Sequence, residues 1–166
     1  MAGLLSDLLD ILEIQAQSLN ELLLLSKEKT DVLVENDSAQ LKKITELEMI
    51  LSSRYSKLDK NRKQIMDDIA LVLNIDENPP TLTAILKVIE GQKEAETLSK
   101  LIDSLLKTAE DLKTQNERNE MLITNAIDYL DFTVNVIKSS KTYEPTLLTK
   151  EGKEIKTIRG TFDKNS

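Results

Sequence analysis

The chain has 166 residues, of which 40% are hydrophobic, 31% charged and 3% aromatic, and this composition fits one all-helical domain rather than a sheet protein or a disordered chain. Cysteine and histidine are absent, which excludes disulfides, thiolate nucleophiles and His-containing metal or acid–base sites. We therefore expect no cofactor, no metal and no enzymatic activity. The net charge of −7 argues against binding to nucleic acid or to anionic membranes.

The first predicted helix runs from about Leu4 to Val34. Its apolar residues recur at steps of three or four, and further leucines widen the apolar face so that it can contact two neighbours, or one neighbour and a second copy of itself. Asn36 and Asp37 then supply a turn. Asp37, with Gln40 three residues later, has the pattern of a helix N-cap. Because the connection is short, we expect the first two helices to run antiparallel.

Three more helices are predicted after this turn. The second runs from about Ser38 to Asn74, carries an uninterrupted heptad pattern, and ends before two prolines that cannot continue it. A short helix follows from about Leu82 to Gly91, where the heptad phase slips. The last helix is predicted from about Lys93 to Ser140, with a packing seam that continues from Leu98 to Leu130.

Glu48 and Arg62 interrupt the apolar seam of the second helix. They lie 14 residues apart, or about 21 Å along a helix, and therefore cannot contact each other. In one interpretation each side chain reaches a partner on a neighbouring helix or extends to solvent, and so specifies the register of the helices. In the other, each contacts another protein directly. The partners expected in an antiparallel hairpin are Lys27 or Lys29 for Glu48, and Asp10 or Glu13 for Arg62.

Asn116 and Asn119 lie together on the seam of the last helix. Asparagines at such positions in coiled coils specify register or the number of partners, because an unpaired buried amide is costly. They can equally mark a wet end of the bundle, where a ligand helix replaces a missing core layer. Both alternatives, register and binding groove, stay open from the sequence.

Residues 141–166 differ from the rest of the chain. They hold six basic and four acidic residues, and continuous apolar periodicity is lost. We predict a flexible, mildly basic tail that folds on binding or, alternatively, an uncommitted terminus or one that docks on its own bundle. The apolar stripe that the tail would present as a helix is formed by Leu147, Leu148, Ile155, Ile158 and Phe162.

The chain resembles the FlgN family, the cytoplasmic export chaperones of the flagellar hook-filament junction proteins. The resemblance spans nearly the whole chain and begins with the leucine-rich first helix. The further residues that carry it are Glu35-Asn36-Asp37, Leu41-x-x-Ile44-x-x-x-Glu48, Arg62, Leu112-x-x-x-Asn116-x-x-Asn119-x-x-Leu122, and a tail that contains Tyr143 and Gly152.

This resemblance implies a chaperone that binds the carboxy-terminal helical segments of the junction proteins, prevents their premature assembly and delivers them to the flagellar type III export apparatus. Substrate binding in the family involves its carboxy-terminal region, which implies that the tail residues Leu147, Leu148, Ile155, Ile158 and Phe162 contact the client. A tyrosine near the end of the bundle is linked to docking at the export gate, and Tyr143 is the residue that corresponds to it.

We therefore predict an all-α protein, an elongated antiparallel bundle of three long helices and one short helix (residues 1–140) with a flexible amphipathic tail (residues 141–166). We expect a cytoplasmic location, because the first residues do not match a signal peptide and no apolar run is long enough to insert into a membrane. The alternative function is a scaffolding coiled coil that self-associates through its seams. The seam pattern is compatible with a monomer and with a homo-oligomer.

Overall fold

A computed structural model describes residues 1–140 of the chain, and these residues contain four α-helices and no strand. The helices are α1 (Ala2–Glu35), α2 (Ser38–Leu73), α3 (Leu82–Val88) and α4 (Lys93–Ser140). The predicted all-α class is confirmed. The tail predicted for residues 141–166 lies outside the described residues.

Local sequence signals account for the ends of the helices. Asn36 and Asn74 follow α1 and α2 in the left-handed conformation, with φ of 64° and 55°, which asparagine tolerates better than most residues. Asp37 caps α2, because its side chain accepts a hydrogen bond from the Gln40 backbone N–H at 3.1 Å. The short helix ends three residues earlier than predicted, and Gly91 in the following turn has a φ of +92°.

The chain divides into two compact units, Met1–Asn119 and Glu120–Ser166. The first unit contains α1, α2, α3 and the beginning of α4, and its apolar core brings all four together. Leucine and isoleucine fill this core, as the low aromatic content indicates. The buried core residues are Leu5, Leu8, Ile11, Leu12, Met66, Ile69, Ile85, Ile89 and Leu98.

Within the first unit, α1 and α2 form an antiparallel hairpin. The start of α1 packs against the end of α2 in the core, and Lys29 pairs with Glu48 near the turn. The part of α4 in this unit runs in the same direction as α1, because Leu98 joins Leu5 in the core and Asn119 contacts the later part of α1. The part of α4 that begins at Lys93 therefore packs into the same core as the hairpin.

The second unit is described for residues 120–140, which form the end of α4. Among all the helices that the structure describes, none combines the length and the apolar character that a membrane span requires.

Candidate protein-binding surface

Two residues of α1 and three of α4 form a hydrogen-bonded layer in the first unit, which we call the polar layer: Ser26, Thr30, Gln115, Asn116 and Asn119. The Asn119 side chain is 3% exposed, and its Nδ2 donates to the Ser26 carbonyl at 2.8 Å and to Ser26 Oγ at 3.1 Å. Its Oδ1 accepts from the Thr30 hydroxyl, which in turn accepts from Gln115 Nε2. Ser26 Oγ donates to Asn116 Oδ1 at 2.8 Å.

The polar layer provides partners for the buried amide of Asn119 at both its oxygen and its nitrogen. A shift of α4 by one turn along α1 would leave this amide without those partners, at a cost of about 1–3 kcal/mol. The contacts therefore support the interpretation that Asn116 and Asn119 specify the register of α4. A binding groove at the same two residues stays a prediction.

Glu48 is paired across the hairpin. Its Oε1 lies 2.9 Å from Lys29 Nζ, and the two side chains are 20% and 18% exposed. Lys29 is one of the two partners expected from the antiparallel arrangement. Because partial burial reduces screening by water and salt, this pair links α1 to α2 more strongly than a fully exposed pair would.

Arg62 is paired within its own helix rather than with the expected carboxylates of α1. Its Nη2 lies 2.6 Å from Asp59 Oδ1, and Lys63 Nζ lies 2.9 Å from Asp59 Oδ2. A carboxylate three residues away on the same helix is always within reach of an arginine. Asp10 and Glu13 are exposed on α1, so the expectation that one of them pairs with Arg62 was wrong.

The same cluster changes two pKa values. Burial by itself would raise the pKa of Asp59, but hydrogen bonds from Arg62 and Lys63 outweigh this effect and hold the pKa below its usual range. Burial raises the pKa of the Tyr55 hydroxyl, and the positive charge of Arg62 offsets only part of that increase. The cluster therefore favours a charged carboxylate and a neutral phenol at neutral pH.

The helix of the second unit exposes many large apolar side chains to solvent. We call residues 121–136 the α4 apolar segment. Tyr129, Leu130 and Phe132 are 69%, 60% and 65% exposed. So dense a group of exposed apolar residues is typical of interaction surfaces, and aromatic residues commonly contribute much of the binding energy at such surfaces. The exposed large hydrophobic residues of the segment are Met121, Ile123, Ile127, Tyr129, Leu130, Phe132 and Val136.

This surface was not predicted from the sequence, because the spacing of Ile123 and Leu130 fits a packing seam. Helical periodicity identifies an apolar face, but it does not show whether another helix covers that face. The predicted lengths did contain a signal. The helix predicted from Lys93 to Ser140 is longer than those predicted from Leu4 to Val34 and from Ser38 to Asn74, so these two are too short to cover a seam along its full length.

The six tail residues that the family resemblance singles out lie outside the described residues. The predicted client contacts are Leu147, Leu148, Ile155, Ile158 and Phe162, and the predicted docking residue is Tyr143. Within residues 1–140, no three His, Cys, Asp or Glu side chains form a group that could hold a metal ion.

The model of a family described as FlgN protein matches residues 1–154. No curated protein and no solved structure gives a significant match. The family match includes both described units and most of the predicted tail.

Proposed function

Because the chain belongs to the FlgN family, a family of flagellar export chaperones, we propose that its clients are the flagellar hook-filament junction proteins. In this proposal the protein binds the carboxy-terminal helical segments of those proteins in the cytoplasm. Binding prevents premature assembly, and the complex is then delivered to the flagellar type III export apparatus. No step of this function requires a cofactor or a catalytic group.

The observation that supports client binding best is the exposure of the α4 apolar segment. A helix of the client can lay its own apolar face against such a surface, as in other helix-in-groove complexes. Full burial of one large apolar side chain contributes about 1.5–3 kcal/mol, so three anchors contribute about 4.5–9 kcal/mol. This offsets much of the cost of association, and further contacts with the client must supply the rest of a micromolar affinity. Ile123, Ile127 and Leu130 are spaced by four and three residues, so they share one face of the helix that a single client helix can cover. Their side chains are 36%, 53% and 60% exposed before binding.

The predicted tail contacts extend this proposal. Leu147, Leu148, Ile155, Ile158 and Phe162 would add apolar contacts to the same client, and Tyr143 would contact the export gate. A tail that orders only in the complex loses conformational entropy on binding, which limits the affinity and keeps the client releasable.

Isothermal titration with a hook-filament junction protein from the same source tests the proposal. The informative variant is Leu130→Asp, which places a charge in the α4 apolar segment. The matched control is Leu106→Asp, which makes the same substitution on the same helix at a side chain that is 66% exposed. We expect Leu130→Asp to weaken binding by about a hundredfold, since one anchor is worth about 1.5–3 kcal/mol, and Leu106→Asp to bind like the unmodified chain.

A second variant, which ends at Ser140, separates the contribution of the tail. Loss of binding on truncation alone would move the client site to the tail, and a loss in both variants would support a site that contains both parts. If neither variant has an effect although the full chain binds, the groove alternative at Asn116 and Asn119 becomes the next candidate. If the full chain does not bind any junction protein, the scaffolding alternative is the better account.

A further inference from the structure

The α1–α2 hairpin has an open apolar groove that no helix of the first unit fills. Its volume is about 460 Å³. Leu25 and Leu51 form the partly buried floor, while Leu24, Leu47 and Ile50 line the sides and are 67%, 50% and 56% exposed. Burial of these three side chains is available to any helix that packs against this face.

The groove lies on the opposite side of α1 from α4. Ser26 and Thr30 hydrogen-bond to α4, whereas Leu24 and Glu28, each two residues from Ser26, line the groove. Two residues along an α-helix correspond to about 200°, so the two faces point in nearly opposite directions. The hairpin therefore carries α4 on one face and presents an uncovered apolar face on the other.

The two edges of the uncovered face carry opposite charges. Glu21 and Glu28 lie on the α1 edge, and Arg54 lies on the α2 edge. Lys43 and Lys57 each lie seven residues from Ile50 and therefore share its side of α2. All five side chains are exposed, and none of them forms an ion pair within residues 1–140.

We propose that this face binds a second copy of the chain, so that two hairpins form an antiparallel four-helix bundle. The charges select a twofold axis parallel to the helices, which places α1 of each copy beside α2 of the other. Glu21 and Arg54 line the same groove, so Glu21 of one copy then faces Arg54 of the partner subunit at about the same level. A twofold axis perpendicular to the helices would instead place α1 against α1, and the glutamates would repel one another.

A second copy explains both the apolar groove and the segregated charges with the residues of this chain alone. Two antiparallel hairpins are the two halves of a four-helix bundle, and each places its acidic edge against the basic edge of the other. A client helix would need its own basic flank opposite α1 and its own acidic flank opposite α2. The dimer does not depend on client binding, and the α4 apolar segment plays no part in it.

Sedimentation equilibrium of the full chain over a range of concentrations tests the proposal. We expect a species of twice the chain mass of 18.7 kDa. Leu47→Glu should give a monomer, because it places a charge in the groove. Leu71→Glu is the matched control on the same helix, at a side chain that is 79% exposed and lies outside the groove, and it should leave the dimer intact.

Charge reversal tests the pairing itself without changing the core. Glu21→Arg alone and Arg54→Glu alone should each raise the dissociation constant of the dimer by about tenfold or more, since each variant brings two like-charge contacts into its own dimer. An equimolar mixture of the two variants should recover the dimer, because every contact in the mixed dimer is between opposite charges. This recovery distinguishes a contact between copies from one within a copy.

Three results would overturn the proposal. The first is a single-chain mass at every concentration. The second is a dimer that survives both Leu47→Glu and Arg54→Glu. The third is a chain that stays monomeric while Leu47→Glu weakens binding of a junction protein, which would assign the groove to the client. Far-UV circular dichroism of each variant distinguishes the loss of the dimer from loss of the fold.

Discussion

Substitution of Asn119 by alanine tests whether the polar layer holds α4 in its register. The change removes three hydrogen bonds, two donated to Ser26 and one accepted from Thr30. It leaves the backbone of α4 unchanged, and alanine is a better helix former than asparagine. Any loss of stability must therefore come from the lost contacts between α4 and α1.

The expected loss of unfolding free energy is about 2 kcal/mol. Three hydrogen bonds at about 0.5–1.5 kcal/mol each give a gross loss between about 1.5 and 4.5 kcal/mol. The Thr30 hydroxyl also lies 3.2 Å from the Ser26 carbonyl, so it keeps an acceptor when Asn119 is removed, which favours the lower half of that range. The higher helix propensity of alanine returns about 0.5 kcal/mol.

Urea denaturation followed by circular dichroism at 222 nm measures this loss. Arg118→Ala, at the exposed neighbouring position, is the control and should change the free energy of unfolding by less than about 0.5 kcal/mol. Ser26→Ala combined with Asn119→Ala completes a double-mutant cycle, in which we expect a coupling energy of about 1 kcal/mol. A loss for Asn119→Ala no larger than that of the control would refute the argument that the layer holds α4.

Three further predictions concern the core and the two ion-pair clusters. Leu12→Ala, at a fully buried core position, should lower the free energy of unfolding by about 2–5 kcal/mol. The control Ile14→Ala, at a side chain that is 48% exposed, should lower it by less than about 1 kcal/mol. Equal losses in urea denaturation would contradict the assignment of the core. Asp59→Asn should destabilise the protein by less than about 1 kcal/mol at pH 7, since water partly screens the pair. Because the pKa of this carboxyl is lowered in the folded state, the deficit should begin to shrink as the pH falls below the unfolded-state pKa of about 4, and it should be lost as the pH passes the lowered pKa of the native carboxyl. A deficit that does not shrink at all below about pH 4 would count against this cause. Glu48→Gln should lower the free energy of unfolding by about 0.5 kcal/mol because it removes the ion pair with Lys29, and this loss should shrink in high salt. A loss that salt does not change would mean that packing rather than charge accounts for it.

Local rules predict the ends of the helices well. The turn after α1 follows from Asn36 and Asp37, since asparagine tolerates the left-handed conformation and aspartate caps the next helix. Asn74 ends the second helix in the same left-handed conformation, ahead of the two prolines, and Gly91 lies in the turn before the last helix. Each of these signals involves residues within a few positions of one another, so neighbouring sequence is sufficient to interpret them.

Contacts between distant residues were predicted less completely. The Lys29–Glu48 pair followed from the antiparallel hairpin, because a short turn determines which residues lie opposite each other. The partner predicted for Arg62 was wrong. A carboxylate on its own helix competes with carboxylates on the neighbouring helix, and the sequence pattern does not show which of them pairs with the arginine. The exposure of the α4 apolar segment was missed for the related reason that a seam pattern does not show where the covering helix ends.

An exposed apolar surface promotes aggregation of a protein whose surface is not covered by a partner. The net charge of −7 and the sequence pI of about 4.8 oppose association between copies at neutral pH, since like-charged molecules repel at long range. The dimer proposed for the α1–α2 face is compatible with this repulsion, because its contacts place the acidic edge of one copy on the basic edge of the other. The α4 apolar segment has no such arrangement, since its charged residues, Asp128 and Asp131, are both acidic. Their like charges oppose pairing of two copies through this segment, which would leave its surface available for the proposed client.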